Sequence, residues 1–153
     1  MINKVPQTTL NKILEDIKND EIQKIVVGAV ILIEKDSPLL LKRKSDDFMG
    51  GLIELPSGTL EPNEDIISGL IREIKEETNL NTNSVDSFID TFDYISSSGK
   101  KTRQINFKVT PLNKNIKLSP EHDSFFVVSI NNEEYLNLNI SQNTRKSIEK
   151  AIL

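Results

Sequence analysis

Cysteine is absent from the 153 residues. Disulfide frameworks, zinc–thiolate sites, iron–sulfur clusters and thiol nucleophiles are excluded with it. There is a single histidine, His122, which argues against a histidine-based triad, a histidine-rich metal centre and a zinc protease. No apolar run approaches the ~20 residues of a membrane span, so no membrane partner is expected. The opening Met1-Ile2-Asn3-Lys4-Val5-Pro6 lacks the long apolar core of a signal peptide, and a cytoplasmic location is expected. Positive charge is in deficit. With a net charge of -4, a long electrostatic grip on nucleic acid is not expected. No repeat, low-complexity tract or Pro/Gly/Ser-rich linker divides the chain.

The rest suits one soluble globular domain. Hydrophobic residues make up 37% and charged residues 27%, and a chain of this length buries roughly 70% of its unfolded surface. Its chemistry has to come from carboxylates and a few Lys and Arg, with a hard metal ion as a further option.

Helical spacing of Leu10, Ile13, Leu14 and Ile17 predicts a helix over Thr9–Asn19. The β-branched run Lys24–Glu34 reads as a buried strand, and Leu39–Lys42 as a second. Gly50-Gly51 and Pro56-Ser57-Gly58 bracket a short strand, Leu52–Leu55. The strongest helix is Asn63–Thr78, with Asn63 as N-cap, Glu64 and Asp65 at the positive end of its dipole, and an apolar stripe of Ile67, Leu70, Ile71 and Ile74. Asn79 follows where the chain commonly turns left-handed. Val85–Ile95 and Thr102–Leu112 predict a hairpin with a polar tip at Ser96–Lys101. A strand Ser124–Ile130 and an amphipathic helix Ser141–Leu153, with Ile148, Ala151 and Ile152 on one side, complete a mixed α and β domain. Residues 1–20 are expected to be a helical extension and residues 21–153 the domain proper.

On the central helix, Glu73, Glu76 and Glu77 share a face roughly 115° from the apolar stripe. Gly69 leaves that face uncluttered. Two carboxylates ~4 Å apart repel by about 4 kcal/mol at an effective dielectric of ~20. Arg72 cannot neutralise three of them, whereas a hard divalent cation with oxygen preference can. A solvated acidic face laced with Lys75 and Arg72 is the competing reading of these residues alone.

The surrounding residues decide between the two. Gly58, Glu64, Arg72, Glu73, Ile74, Glu76, Glu77 and Leu80 fall at the spacing of the Nudix box, and the region resembles the Nudix (MutT-like) hydrolases. Asn79 stands where that family has Gly. The similarity runs from about Val26 to Ser129, taking in the approach LLLKRKSDDFMGGLIELPSG, in which Ser57 replaces a commoner Gly. The resemblance implies an α/β/α sandwich (an α/β, or α+β, fold) with a mixed sheet and the box as loop–helix–loop.

It also implies roles. Glu73, Glu76 and Glu77, the Gly58 carbonyl and Glu121 would hold magnesium or manganese. Glu73 or Glu76 would serve as general base, with Arg72 counted among the catalytic residues and paired with Glu64 as support for the box. Arg43 and Glu54 are candidate substrate contacts. Phe48, Phe125 and Phe126 are candidates for stacking a nucleobase. The Ser96–Lys101 tip, with Lys100, Lys101 and Arg103, reads either as a flap over phosphates or as an ordinary solvated turn. His122 is expected to be a loop residue without partners.

The expected reaction is hydrolysis of a nucleoside diphosphate linked to another group. The favoured substrate is a nucleoside triphosphate, unmodified or oxidised, cut to monophosphate and pyrophosphate. ADP-ribose or a nucleotide sugar is the alternative, RNA decapping is disfavoured by the acidic balance, and a nucleotide-sensing Nudix domain without turnover is the rival of another class. The Thr9–Asn19 helix is open to two uses, capping the sheet or making a homodimer contact.

Overall fold

The computed structural model describes residues 1–47 and 49–153. In chain order the elements are β1 (Ile2–Asn3), α1 (Gln7–Asn19), β2 (Lys24–Glu34), β3 (Ser37–Arg43), β4 (Ile53–Glu54), β5 (Ser57–Thr59), α2 (Ile66–Thr78), β6 (Thr82–Ile95), β7 (Lys101–Pro111), β8 (His122–Val127), α3 (Glu133–Leu136) and α4 (Gln142–Ile152). Three of these, β1, β5 and α3, were not expected. They are two to four residues long, too short to show a period.

The sheet runs β1-β6-β7-β2-β3-β4, with β5 added to β2 and β8 to β3. It is mixed: β2–β7 and β1–β6 are parallel, β6–β7 and β2–β3 antiparallel. β2 has the uninterrupted apolar sequence of a strand covered on both faces. Val27, Ala29, Ile31 and Ile33 face a core that also takes Leu10, Ile13 and Ile17 of α1 and Ile67, Leu70 and Ile74 of α2. Val30 turns the other way, into a second core with Leu40, Tyr135, Ile140 and Ile148. Helices thus cover both faces of the sheet, as in an α/β/α sandwich. Burying Leu70 and Ile74, both almost wholly removed from solvent, contributes about 1.5–3 kcal/mol each.

On its β3 side, β2 changes partner along its length. Val26, Val27 and Gly28 pair with β5, whereas Leu32 and Glu34 pair with β3. β3 continues with β4 and β8. The two arms diverge, and a cleft is lined from both.

A buried polar network locks α4 to the sheet. Gln104 Nε2 donates to Asn106 Oδ1 at 2.9 Å, and Asn106 Nδ2 donates to Asp90 Oδ1 at 3.1 Å and to Ser147 Oγ at 3.2 Å. Ser147 Oγ donates to Asp90 in turn, and Lys150 Nζ lies 3.3 Å from the same carboxylate. Each side chain of this network therefore has partners. Gly28 makes room for the network, because a Cβ there would sit 2.5 Å from Asn106 Oδ1 and 2.8 Å from Gln104 Nε2.

Candidate active site

Helix α2 begins two residues later than its sequence suggests. Its N-cap is Asp65, whose carboxylate accepts from the Ser68 N–H at 3.1 Å. Asn63 is not the cap; it sits at φ 62 in the preceding turn. That turn frees Glu64 to fold back along the helix. Gly69 is covered rather than open: a Cβ there would run into the Leu60 side chain and come 2.9 Å from the Glu64 carboxylate. At the other end Asn79 adopts φ 66, the left-handed cap expected of it, and its N–H bonds Lys75 O.

The three box glutamates have different surroundings. Arg72 reaches Glu64 through Nε at 2.7 Å and Nη2 at 2.8 Å, a bidentate fork. Its Nη1 donates to Glu73 at 2.8 Å and to Glu76 at 3.1 Å. Hydrogen bonding to this guanidinium holds the Glu64 carboxyl down at about 2. Burial raises the Glu73 carboxyl, with Arg72 opposing and Glu76 and Glu121 adding to the rise. Glu76 is 58% exposed. Gly58 stands against Glu73 so closely that a Cβ would overlap the Glu73 carboxylate.

Glu77 points elsewhere. It is buried, and its Oε1 accepts from the Ser57 N–H at 2.7 Å. Burial pushes this carboxyl up to about 8, the Ser57 hydrogen bond acts against that, and the charges of Glu54, Glu121 and Glu73 add to it. Ligand atoms of Glu77, Glu121 and His122 all lie within 4.8 Å of one another. Among the described residues these three form a group with the composition of a cation site.

His122 departs from expectation. It opens β8, is buried, and has carboxylates on both sides. Nε2 lies 3.1 Å from Glu54 Oε1, and Nδ1 lies 3.5 Å from Glu77 Oε2. No local pattern reveals these partners, which come from β4 and α2. Glu54 also takes Arg43, whose Nη1 is 3.3 Å away, and Arg43 Nη2 reaches Asp47 at 3.2 Å. Both candidate substrate contacts therefore sit beside the acidic group and hold each other.

The cleft has a volume of about 380 Å³. Its walls bring together Arg43, Glu54, Gly58, Glu73, Glu76, Glu77 and Glu121 with His122. A neighbouring chamber of about 350 Å³ shares Arg43, Glu54, Tyr94 and Gln104 with the cleft and extends to Met49, Leu52, Phe92, Ile95 and Asn143. Among the described residues its aromatics are Phe92 and Tyr94. Phe126 packs in the second core, Phe125 is 43% exposed, and Phe48 lies outside the described residues. At the hairpin, Lys101 Nζ donates to Asp20 O at 2.7 Å, and Arg103 pairs with Asp20 and Asp93. Those two cations are turned toward the end of α1. No helix among the described residues is long and apolar enough to cross a membrane.

A layered α/β domain with a glycine-approached glutamate helix opening on a cleft agrees with the architecture that the sequence resemblance implies. The family profile described as NUDIX domain matches residues 23–150, and the chain belongs to the Nudix hydrolase family. It is 32% identical over 99 residues to the 8-oxo-dGDP phosphatase of Homo sapiens, covering 65% of this chain and 29% of that protein. It is 48% identical over 50 residues to the ADP-ribose pyrophosphatase of Methanocaldococcus jannaschii, covering 32% of this chain and 29% of that one. The matched stretches span under a third of these curated relatives. Among solved structures, the MutT protein from Methanosarcina mazei Go1 superposes with a TM-score of 0.72 at 28% identity, over 84% of this chain and 91% of that one. The MutT NUDIX hydrolase from Burkholderia pseudomallei shares the fold, with a TM-score of 0.70 at 20% identity over 83% and 96% of the two chains.

Proposed function

We propose that the chain hydrolyses a nucleoside triphosphate, unmodified or oxidised, to the monophosphate and pyrophosphate. The observation that carries this reading is the continuity of the two compartments. A carboxylate-lined cleft suited to a cation-neutralised phosphate chain runs into an apolar chamber with two aromatic rings, which suits a base.

The donor set fits a divalent cation: several carboxylates converge, and a buried ring nitrogen of His122 lacks a hydrogen-bond partner. Glu73, Glu76, Glu77, Glu121 and the Gly58 carbonyl would hold magnesium or manganese. Bound there, the ion supplies positive charge against phosphate oxygens and acidifies water. Arg72, bonded to both, fixes Glu73 and Glu76 in direction. Glu76, the exposed member, is placed to take a proton from the attacking water. Arg43, held by Glu54 and Asp47, presents its guanidinium where the acidic cleft meets the chamber and would grip a phosphate there. Tyr94 and Phe92 would flank the base.

ADP-ribose is the second reading, favoured by the 48% identity to an ADP-ribose pyrophosphatase over 50 residues. A magnesium-dependent screen of phosphate and pyrophosphate release separates the two. It covers unmodified and oxidised nucleoside triphosphates, ADP-ribose, nucleotide sugars and dinucleoside polyphosphates, with Glu76→Gln alongside. Pyrophosphate from a triphosphate, reduced roughly 10²–10⁴-fold in the variant, is the expected result. Turnover of ADP-ribose alone would replace the substrate and keep the mechanism. No turnover by a folded, magnesium-binding protein would point to a sensor.

A further inference from the structure

We infer that His122 is a metal ligand, so that this cleft holds at least one cation through a nitrogen as well as carboxylates. The inference rests on the metal-site reading above and adds a residue to it. His122 is the only histidine in the chain, and its side chain is 3% exposed. A carboxylate can only accept, so the ring nitrogen facing Glu54 Oε1 at 3.1 Å is the donor. In the neutral ring this leaves the lone pair on Nδ1. That atom is buried and has no hydrogen-bond partner among the described residues. It faces Glu77 Oε2 at 3.5 Å, with a Glu121 carboxylate oxygen in the same group.

Two features single this out from ordinary burial. A buried acceptor without a donor is unfavourable, so native proteins rarely leave one. Metal-bound histidines, moreover, commonly donate their second ring N–H to a carboxylate, which fixes the tautomer and strengthens the ligand. Glu54 does this here, and Arg43 in turn holds Glu54. The spacing also fits. Two donors at ~2.1 Å from one ion, about 90–109° apart, sit roughly 3.0–3.4 Å from each other, close to the separation of Nδ1 and Glu77 Oε2.

The consequence is selectivity. Magnesium prefers oxygen, whereas zinc and cobalt gain from imidazole, and manganese, which also favours oxygen, accepts a nitrogen more readily than magnesium. The site therefore takes a later divalent ion more tightly than an all-carboxylate group would, and Glu54 is a positioning residue for the ligand rather than a ligand itself.

Having one histidine makes the test direct. Protein with 15N-labelled histidine, free of any histidine tag, is loaded with Mn2+ and studied by pulsed EPR. A nitrogen coupling that changes with the isotope and disappears in His122→Gln is the expected result. Calorimetry should show Mn2+ binding at least ~10-fold weaker in the variant, with Mg2+ binding changed far less. Bound Mn2+ without histidine coupling would overturn the inference and leave hydrolysis by the carboxylates standing, and failure to bind Mn2+ would overturn it as well. Histidine coupling in a protein that turns over no nucleotide would uphold the ligand and remove the enzymatic reading. If His122→Gln does not fold, the labelled unsubstituted protein still decides.

Discussion

Two acidic groups meet at helix α2, one around Glu73 and Glu76 and one around Glu77, and they are balanced in different ways. Around Glu73 and Glu76, Arg72 supplies five hydrogen bonds' worth of guanidinium and ties the helix to Glu64 and to Thr59 O. That group is geometrically closed, although one cation faces three carboxylates. Around buried Glu77 the carboxylates of partly buried Glu54 and exposed Glu121 converge, with Arg43 spent on Glu54 and a His122 ring nitrogen that has no hydrogen bond among the described residues. The first group can hold its shape in the protein alone. In the second, burial and the charges of Glu54, Glu121 and Glu73 hold Glu77 toward its neutral form, and an added positive charge would favour the ionised form. The same residue type thus stands in two surroundings on one helix, bonded to Arg72 in one and packed beside Glu54, Glu121 and His122 in the other.

The largest effect should come from joining the two groups badly. Gly58→Ala drives a methyl into the Glu73 carboxylate and should lower turnover roughly 10²-fold, because misplacement by about 1 Å is enough. A steady-state assay with a thermal melt as folding control reads this.

The next effect is on pH. Burial raises the folded-state Glu77 carboxyl to about 8 from 4.5, so the folded chain holds a proton that the unfolded chain releases. The stability this contributes is complete below the unfolded value and declines as pH rises through about 8, by at most about 1.4 kcal/mol per pH unit. Urea denaturation in chelator should show the decline between those limits, and Glu77→Gln should flatten it. An unchanged slope in the variant would mean that Glu77 does not carry the proton.

Opening the closed group should cost stability at any neutral pH. Arg72→Ala leaves Glu64 and Glu73 without their cation and should lower stability by about 2 kcal/mol in denaturant titration, discounted for partial exposure. The smallest effect is expected at the end of the helix. Asn79→Gly relaxes a left-handed residue but forfeits the Asn79 Nδ2 bond to Asn115 O. The net change in melting free energy should stay within about 0.5 kcal/mol.

Much of the fold was legible because its signals are local. The run Lys24–Glu34 coincides with β2 residue for residue, since a strand buried on both faces must be apolar throughout. The stripe of α2 was readable from its period, and Asn79 from its place after the last turn. The cap was misread because Asn63 and Asp65 both have capping side chains, and only the path of the preceding turn distinguishes them. The Gln104–Asn106–Asp90–Ser147 network left no trace in sequence, being assembled from three separated elements. Aromatic residues near the box drew attention to Phe125 and Phe126, whereas strand pairing placed Phe92 and Tyr94 at the chamber.

What the sequence determined by itself is the family, the layered order of helices and strands, and the glutamate face of α2. Each is written in spacing along one segment, and helix and strand periods convert spacing into direction. What only the tertiary structure decided is how those glutamates divide. Arg72 takes two of them, and burial together with β4 and β8 claims the third. The same packing turned the lone His122 from an expected loop residue into the centre of a buried acidic group. Charge balance of that kind depends on distances between elements far apart in the chain, which no local pattern encodes.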